Sequence, residues 1–357
     1  MTSRIANFIP RLQFPDYNVI LSDFKGHHVK ALNKMTQLAP QLDLVFELRD
    51  SRAPLSSKNV LLDRPFQGKK KVVLYSKKDL SRIDIDIISK WHKDLNESFM
   101  FIDCRAQRDS KFLIEVAKQY YYSIKPSPPP LGLRMLVVGM PNVGKSTLVN
   151  TLRKVGLQEN RKIAKTGGQP GVTRSTSSII KINTDPQLLL YDTPGVFLPK
   201  VSSSQSMIIL SLIGAVKPTL VDPVIQADYL LYIINLQKKW DLYKDFIDYP
   251  VNDVTFLLKK IAMKIGKINR KTGEVDETGT AIYWIDQFKQ GKIGPISFEI
   301  EAVDPEIKMD VKSWIEKEKK RVDDMEIKLN NKNMTNKKAP LSYREKTSRS
   351  ANQLFKD

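Results

Sequence analysis

The segment with the clearest chemical signature is Gly139–Ser146, GMPNVGKS, which has the spacing GxxxxGK(S/T). The apolar run Met135–Val138 precedes it and the helical pattern Thr147–Arg153 follows it. This context separates a phosphate-binding loop from an ordinary glycine turn. In such a loop the lysine reaches the β- and γ-phosphates and the hydroxyl binds Mg²⁺, so we predict these roles for Lys145 and Ser146. The other loop residues predicted to contact the nucleotide are Pro141, Asn142, Val143, Gly144 and Thr147.

A second motif, Asp192-Thr-Pro-Gly195, follows the apolar run Leu188–Tyr191. Asp-x-x-Gly is common in simple turns, but at a strand end downstream of a phosphate loop it favours a catalytic role. The carboxylate there can hold Mg²⁺ through water, and the Gly195 N–H can contact the γ-phosphate. Between the two motifs, the glycine-rich stretch Lys165–Thr173 ends in a threonine. We predict that Thr173 belongs to a switch and ligates Mg²⁺ only in the triphosphate state.

A base-reading motif is predicted at Ser76–Asp79, SKKD, directly after the apolar run Val72–Tyr75. Guanine presents N1–H and N2–H₂ side by side, so one carboxylate can accept both, whereas adenine has no such pair of donors. We predict that Asp79 binds the guanine edge and that the stem of Lys77 covers the base, with Lys78 between them. Ser76 stands where GTPases have asparagine, and a charged turn is the alternative interpretation. A second strand end is predicted to offer a backbone N–H to guanine O6, at Cys104 and Arg105.

The order of these motifs is unusual for a GTPase. The base-reading loops near residues 76 and 104 precede the phosphate loop at 139, and Asp192 comes last. Ordinary GTPases begin with the phosphate loop and end with the base loops. A circularly permuted chain can build the same sheet because the termini of a domain commonly lie close together. The Pro-rich segment Ile124–Leu133 is the predicted connector between the two ends of an ordinary chain.

The elements that position these motifs are predicted from apolar runs and helical spacing. Strands are expected at Leu44–Leu48, Val72–Tyr75, Phe99–Ile102, Met135–Val138 and Leu188–Tyr191. Helical patterns lie between several of them, including Ile83–Leu95 and Phe112–Tyr121. This alternation is typical of an α/β fold with a mainly parallel sheet covered on both faces. We predict a P-loop GTPase domain over residues 21–200.

Beyond residue 200 the strand signals end and the pattern becomes helical. Helices are predicted at Ser206–Val216, Pro223–Leu236, Val254–Ile265 and Thr280–Gln290. We therefore predict an all-helical domain over residues 201–300 that binds RNA or the ribosome. Its candidate phosphate contacts are Lys259, Lys260, Lys264, Lys267, Arg270 and Lys271, with a solvated helix face as the alternative.

The two ends of the chain have compositions of their own. Residues 301–357 are predicted to form a charged amphipathic helix around Trp314 and then a basic tail, of the kind that meets anionic partners. Residues 1–20 are a candidate mitochondrial leader, because Met1–Pro15 carries Arg4 and Arg11 and no acidic residue before Asp16.

The bulk composition limits the cellular setting and the partners. The single cysteine, Cys104, cannot form an internal disulfide, which favours a reducing compartment. The longest apolar run, Met207–Val216, is well below the roughly 20 residues of a membrane span. A net charge of +19 attracts polyanions, of which nucleic acid is the commonest, and an acidic membrane leaflet is the alternative.

Taken together, the motifs resemble the YlqF/RbgA class of circularly permuted GTPases, and within it the fungal mitochondrial ribosome-associated members. The resemblance spans roughly residues 20–300. It rests on Phe24–Ala31, Asp50–Ser57, Gly139–Thr147, Ala164–Thr173 and Asp192–Val196. Departures from the family pattern are Ser76, Lys25 and the pair Cys104-Arg105.

The resemblance implies how hydrolysis proceeds. In Ras-like enzymes a glutamine after the Asp-x-x-Gly glycine orients the attacking water. Val196 occupies that position here and cannot hydrogen-bond water, so we expect slow intrinsic turnover. The family implies that His27 supplies the missing function, with a surface histidine as the alternative. Asn142 matches the loop asparagine that binds K⁺ in related GTPases, so K⁺ activation is expected.

Three functional hypotheses follow. The leading one is a GTP-dependent assembly factor for the large subunit of the mitochondrial ribosome, bound to its rRNA on the matrix side. A membrane-surface mitochondrial GTPase, peripheral on the inner membrane, is the first alternative, supported by the segment around Trp314. An RNA-binding scaffold with an inactive nucleotide site is the second, and intact Lys145, Ser146 and Asp192 argue against it.

Overall fold

The computed structural model describes residues 8–158, 179–268 and 274–337. Its strands form one six-stranded sheet with the spatial order β3-β2-β1-β4-β6-β5. In chain order they are β1 (Leu44–Asp50), β2 (Lys70–Ser76), β3 (Ser98–Phe101), β4 (Leu133–Gly139), β5 (Ile180–Asn183) and β6 (Leu188–Asp192). The five strands predicted from apolar runs are all present, and they pair with one another in parallel. The mainly parallel α/β fold is therefore confirmed.

The chain path through the sheet accounts for the motif order. The chain enters at β1, builds outward through β2 to the edge strand β3, and then returns to place β4 on the other side of β1. The return passes through a helix and the Pro-rich connector Ile124–Leu133. Proline lacks a backbone donor and cannot continue a helix or a central strand, so the connector ends one half of the sheet before β4 begins the other.

Strand register gathers the functional residues at one edge of the sheet. Asp50 at the end of β1 pairs with Ser76 at the end of β2. On the other side of β1, Leu48 pairs with Gly139 at the end of β4. Between β4 and β6, Val137 pairs with Asp192 at the end of β6. In an open parallel sheet, ligands bind outside the carboxyl ends of the strands. The predicted phosphate, base and Mg²⁺ motifs all leave the sheet at that edge.

Strand β5 was not predicted. It pairs antiparallel with β6 at the sheet edge and is only four residues long, with alternating burial. Its exposed Lys181 interrupts the apolar run that would have indicated a buried strand. A short, charged edge strand of this kind protects a sheet from edge-to-edge pairing.

The helices follow the predicted pattern with changes at their ends. In chain order they are α1 (Gly26–Leu38), α2 (Ile85–Leu95), α3 (Gln107–Ser123), α4 (Lys145–Leu157), α5 (Ser204–Leu212), α6 (Pro223–Leu236), α7 (Val254–Ile265), α8 (Glu277–Lys289) and α9 (Val311–Lys337). Helix α5 stops four residues before the predicted Val216, because Gly214 adopts a left-handed turn with φ +81°. Among the described residues, no helix is long and apolar enough to cross a bilayer.

The hydrophobic core continues across the predicted boundary at residue 200. One cluster of buried side chains includes Leu44 and Leu190 of the sheet together with Leu230, Leu257 and Trp284 of the helical region. The division into 21–200 and 201–300 remains a prediction from sequence pattern. In the folded chain the helical region shares its core with the sheet.

Both ends of the described chain pack onto other elements. Phe14 is buried, and its ring lies 4.8 Å from that of Tyr229 and 5.4 Å from that of Tyr232 on α6. The guanidinium of Arg11 pairs with Asp228 at 2.5 Å. The predicted leader, residues 1–20, thus includes side chains that pack against the helical region. At the other end, α9 packs on α2 and on the turn Val60–Leu62.

Candidate nucleotide-binding site

The phosphate loop begins where β4 ends and runs into the first turn of α4. Gly139, Asn142 and Gly144 have φ of +145°, +57° and +105°, values that let backbone N–H groups turn toward a bound anion. The Asp192–Gly195 segment presses against this loop, since a Cβ on Gly195 would lie 2.6 Å from the nitrogen of Pro141. Any larger residue at 195 would push this segment away from the loop.

Lys145 and Asp192 form the charged centre of the site. Both are buried, and Lys145 Nζ donates to Met140 O at 2.7 Å. Burial lowers the pKa of Lys145 to about 8 in spite of the opposing charge of Asp192. Burial also raises the pKa of Asp192, against the effects of Lys145 and of a hydrogen bond from Ser146. Lys145 is therefore a desolvated cation, which suits the phosphate contact predicted for it.

The donor set at Asp192 fits a Mg²⁺ ion. Asp192 Oδ1 is buried and has no hydrogen-bond partner in the described part of the chain, and the Ser146 hydroxyl bonds to the same carboxylate. A hydroxyl and a carboxylate are the hard oxygen ligands that Mg²⁺ prefers, with water and phosphate completing its shell. Thr173, the third predicted ligand, lies outside the described residues, as does all of Lys165–Thr173.

The predicted guanine-reading loop starts at the end of β2. Ser76 is fully buried and its hydroxyl donates to Arg49 O at 3.2 Å, so it braces the strand end. Lys77 has φ +56° and starts the short turn Lys78–Leu80. Asp79 is exposed and pairs with Arg105 at 3.1 Å. The predicted base-reading carboxylate is thus oriented by an arginine from the second predicted base loop.

The second base loop lies against the phosphate loop. A Cβ on Gly144 would be 3.0 Å from Cys104 Sγ and 3.9 Å from the Cβ of Ser76. Burial raises the pKa of the Cys104 thiol to about 12, so it remains protonated and acts as a small packing group. The Arg105 N–H donates to Asp103 Oδ1 at 2.9 Å. The two base loops and the phosphate loop, separate in sequence, therefore meet around Gly144.

Lys78, the remaining residue of the base-reading motif, points to a different partner. Its Nζ pairs with Asp109 on α3 at 2.6 Å. Asp109 also accepts the backbone N–H of Asp103 at 2.7 Å. Lys78 thus links the two base loops to each other through α3.

Two residues that carry the site were not assigned a role from the sequence. Asp50, at the end of β1, is fully buried and pairs with Lys77 Nζ at 2.7 Å. Arg52 binds the same carboxylate through two nitrogens, each at 2.9 Å. Burial would raise the pKa of Asp50, but Arg52 and Lys77 hold it well below its usual range. The sequence signal that could have identified them is a pair of oppositely charged residues directly after a buried strand, at the edge of the sheet where the other motifs lie.

Val196 is directed into the protein core. Its side chain is fully buried in a cluster with Ala31 and Met35 of α1 and Tyr191 of β6. Its carbonyl accepts the Asn59 amide at 2.7 Å. The sequence predicted that this residue cannot bind the attacking water, and its burial gives an additional reason. The same packing attaches α1 to the segment that follows Asp192.

His27, the predicted replacement, lies in the first turn of that same helix. It is partly exposed, and its ring centroid is 4.1 Å from that of His28. His28 Nδ1 accepts the backbone N–H of Lys25 at 3.1 Å, and burial lowers the pKa of His28 to about 4. His28 therefore serves as a neutral helix-start acceptor, while His27 is only partly buried.

Basic side chains of the helical region lie on α7 and just after it. Lys260 Nζ sits 5.4 Å from the Phe256 ring centroid and Lys264 Nζ 5.4 Å from that of Phe246. Lys267 donates to Gly279 O at 2.8 Å. Of the six predicted phosphate contacts, Arg270 and Lys271 lie outside the described residues. The other four, Lys259, Lys260, Lys264 and Lys267, are exposed, and two of them, Lys260 and Lys264, lie close to aromatic rings.

Comparison with known proteins shows which family the chain resembles. A family model described as "50S ribosome-binding GTPase" matches residues 134–260. Mitochondrial GTPase 1 of Saccharomyces cerevisiae is 40% identical over 311 residues, covering 80% of this chain and 83% of the relative. Mitochondrial ribosome-associated GTPase 1 of Xenopus tropicalis is 30% identical, covering 77% and 93%. Ribosome biogenesis GTPase A of Bacillus pumilus is 31% identical, covering 77% and 97%.

A solved structure shares the fold. The crystal structure of GNP-bound YlqF from T. maritima superposes with a TM-score of 0.50 at 20% identity, covering 76% of this chain and 97% of that one. The matched family model starts at the beginning of β4 and ends within α7. It therefore includes the phosphate loop and Asp192, whereas the base-reading loops precede it in the chain.

Proposed function

We propose that this chain, which belongs to the family of mitochondrial GTPase 1 and mitochondrial ribosome-associated GTPase 1, is an assembly factor for the large subunit of the mitochondrial ribosome. Its enzymatic activity is the hydrolysis of GTP to GDP and phosphate. One observation carries the proposal: the predicted base-reading, phosphate and Mg²⁺ motifs leave the sheet at a single edge, and the helical region that bears the basic residues of α7 shares its core with that sheet. The nucleotide state would thereby control binding to rRNA and support mitochondrial translation.

Guanine recognition is assigned to the two base loops. Asp79 would accept N1–H and N2–H₂, and Lys77 would cover the base while Asp50 holds its ammonium group. Cys104 or Arg105 would offer a backbone N–H to guanine O6. The guanine selectivity of the site thus depends mainly on the Asp79 carboxylate, with Arg105 orienting it.

Phosphate binding is assigned to the loop residues 141–147, with Lys145 as the main charge. Mg²⁺, held by Ser146, Thr173 and the water shell of Asp192, would neutralise charge on the β- and γ-phosphates. The Gly195 N–H would contact the γ-phosphate. Asn142 would bind K⁺, so turnover should be higher in K⁺ than in Na⁺ buffer.

Water activation is assigned to His27 with help from the ribosomal partner. The buried Val196 leaves the position of the Ras glutamine without a polar group, so intrinsic turnover should be slow. Since α1 packs on Val196, a partner that moves α1 would also move His27 relative to the segment carrying Gly195. This arrangement would make hydrolysis depend on binding to the subunit.

The location follows from the mitochondrial relatives, and we propose the matrix side, where the mitochondrial ribosome is assembled. Peripheral contact with the inner membrane would use the amphipathic face of α9, although its Val311, Ile315 and Val322 are buried against the GTPase region. Binding to rRNA is therefore the proposal that the observations favour.

The proposal is tested with the full-length protein and purified large mitochondrial subunits. Co-sedimentation should be stronger with a non-hydrolysable GTP analogue than with GDP, and subunits should accelerate GTP turnover. The His27→Ala variant should bind GTP and subunits normally but lose the acceleration. Salt-resistant binding to liposomes, with no response to subunits, would instead support the membrane alternative.

A further inference from the structure

Asp50 and Ser51 contact the base-reading loop directly, and Arg52 contacts it through Asp50. The Ser51 N–H donates to Ser76 O at 3.0 Å and the Ser51 hydroxyl donates to Lys77 O at 3.0 Å. Asp50 pairs with Lys77 Nζ at 2.7 Å and is itself held by Arg52 Nε and Nη2. The conformation of Lys77 therefore depends on the position of Arg52.

Arg52 in turn contacts the helical region at three points. Its Nη2 donates to Ile213 O at 3.4 Å, and its guanidinium carbon lies 5.3 Å from the centroid of the Phe288 ring on α8. Its own carbonyl accepts the N–H of Phe298 at 2.8 Å. Its Nη1 is buried without a hydrogen-bond partner among the described residues. The side chain that fixes Asp50 is thus enclosed by the helical region.

The same turn of the helical region also holds the phosphate loop. Gly214, adjacent to Ile213, accepts the Asn142 side-chain amide at 2.8 Å. On the far side of the base loop, Leu80 O accepts the N–H of Ile296 at 3.1 Å. The helical region therefore contacts both the phosphate loop and the base-reading loop. The turn Ile213–Gly214 makes two of these contacts, one with Arg52 and one with Asn142.

We propose that Arg52 is a positioning residue for guanine-nucleotide binding, which acts through Asp50 on Lys77 and is itself positioned by the turn Ile213–Gly214 and by Phe288. The inference deepens the proposed function, because it assumes the same nucleotide site. It implies that nucleotide binding is transmitted to the helical region through the base-reading loop. This route is additional to the direct chain connection that leads from Asp192 into the helical region. By linkage, a partner that shifts this turn changes nucleotide affinity by the same factor with which nucleotide changes partner affinity.

The chemistry requires arginine at this position. Only a planar fork can bind both oxygens of Asp50, reach the Ile213 carbonyl and lie against an aromatic ring at the same time. Lysine would keep the charge but satisfy one of these contacts. Substitutions along such a contact chain change coupling by about twofold to thirtyfold.

The test uses full-length protein, GDP titration and amide hydrogen exchange with and without GDP. In the wild type, GDP should slow exchange of the Ile296 and Phe298 amides, which donate to the base loop and to Arg52. Arg52→Met should bind GDP about tenfold more weakly, and GDP should no longer protect those amides. Arg52→Lys should restore part of the affinity.

A matched control is Arg11→Met. Arg11 also pairs with an aspartate and lies near aromatic rings, but it contacts Asp228, Phe14 and Tyr232 away from the nucleotide loops. Its GDP affinity and GDP-dependent protection should match the wild type. Phe288→Leu removes the ring on the helical side and leaves the Asp50 pair intact, so it decides the question if Arg52→Met does not fold. It should lose the GDP-dependent protection.

The failures of the two proposals are distinguishable. Wild-type protein that does not bind GDP would overturn the proposed function itself. Wild-type protein that binds GDP with unchanged exchange at Ile296 and Phe298 would overturn only the role of Arg52. That role would also be overturned if folded Arg52→Met and Phe288→Leu kept wild-type affinity and protection.

Discussion

At the residue scale, the candidate site contains two buried ionisable groups whose pKa values are shifted by burial. Lys145 and Asp192 are both almost fully enclosed, and burial moves their pKa values toward neutrality from opposite sides. In the proposed site each group would gain an oppositely charged partner, the phosphates for Lys145 and Mg²⁺ for Asp192. Binding of nucleotide and metal would then offset the cost of desolvating these groups during folding.

The proposed phosphate contact of Lys145 should make nucleotide binding depend on pH. In the free protein its pKa is lowered to about 8, and the bound phosphates should raise it. Below about pH 8 the lysine is charged in both states, and above it binding must take up a proton, so GDP affinity should fall as the pH rises. Calorimetry in buffers of different ionisation enthalpy should detect proton uptake near pH 8.5 and little at pH 7. Equal uptake at both values would contradict this role of Lys145.

Asp79 should determine the choice of base. Asp79→Asn replaces one acceptor oxygen with a donor that faces the guanine N–H groups, so GTP affinity should fall at least about tenfold. Xanthine has a carbonyl where guanine has its amine, and XTP should therefore bind the variant better than the wild type. Competition titrations with GTP and XTP provide the measurement. Asp109→Asn is the control, because Asp109 pairs with Lys78 on the same loop and is not among the predicted base contacts.

At the scale of elements, the N-terminal segment from Arg11 to Leu21, called the strap below, packs on the helical region. Phe14 packs between Tyr229 and Tyr232, and Val201 donates its N–H to Leu21 O at 2.9 Å. The strap runs from α6 to the start of α1, the helix that carries His27. Its packing therefore helps to fix where that helix begins.

Loss of the Phe14 side chain should loosen this strap. The side chain is 6% exposed, and Phe14→Ala should lower the free energy of unfolding by about 3 kcal/mol or more. Phe112→Ala is the matched control, since Phe112 is 58% exposed on α3 and should change stability by less than about 0.5 kcal/mol. Urea unfolding measures both. Equal midpoints for the two variants would show that the strap contributes no stability.

At the scale of the whole molecule, a net charge of +19 should make the proposed RNA binding sensitive to salt. Each phosphate neutralised contributes about −0.7 to −0.9 to the slope of log K against log salt concentration. Residues 338–357 carry five Lys or Arg and two acidic residues, so a chain ending at residue 337 should have a shallower slope. Filter binding to large-subunit rRNA at several salt concentrations measures it. Replacing the five basic residues with Gln should reproduce the effect of truncation, and an unchanged slope in both would exclude the tail from RNA binding.

Some features of the molecule were determined by local sequence pattern. The phosphate loop, Asp192 and the base loop each follow an apolar run, and the structure has a parallel strand ending at each place. Parallel strands of one sheet deliver their carboxyl ends to a common edge. Motif order and strand prediction were therefore sufficient to predict a permuted GTPase sheet. Strand β5 was missed because its residues alternate and its pairing depends on β6.

Other features were decided only by tertiary structure. Asp50 and Arg52 lie 25 or more positions from Lys77 or Ile213 in the chain, and no periodicity links them, yet they join the base loop to the helical region. The inward direction of Val196 and the packing of Phe14 likewise depend on which surfaces meet. Side-chain chemistry at strand ends is readable from sequence because it is local. The contacts that couple the nucleotide pocket to the helical region are long-range, and only the folded chain brings them within hydrogen-bond distance.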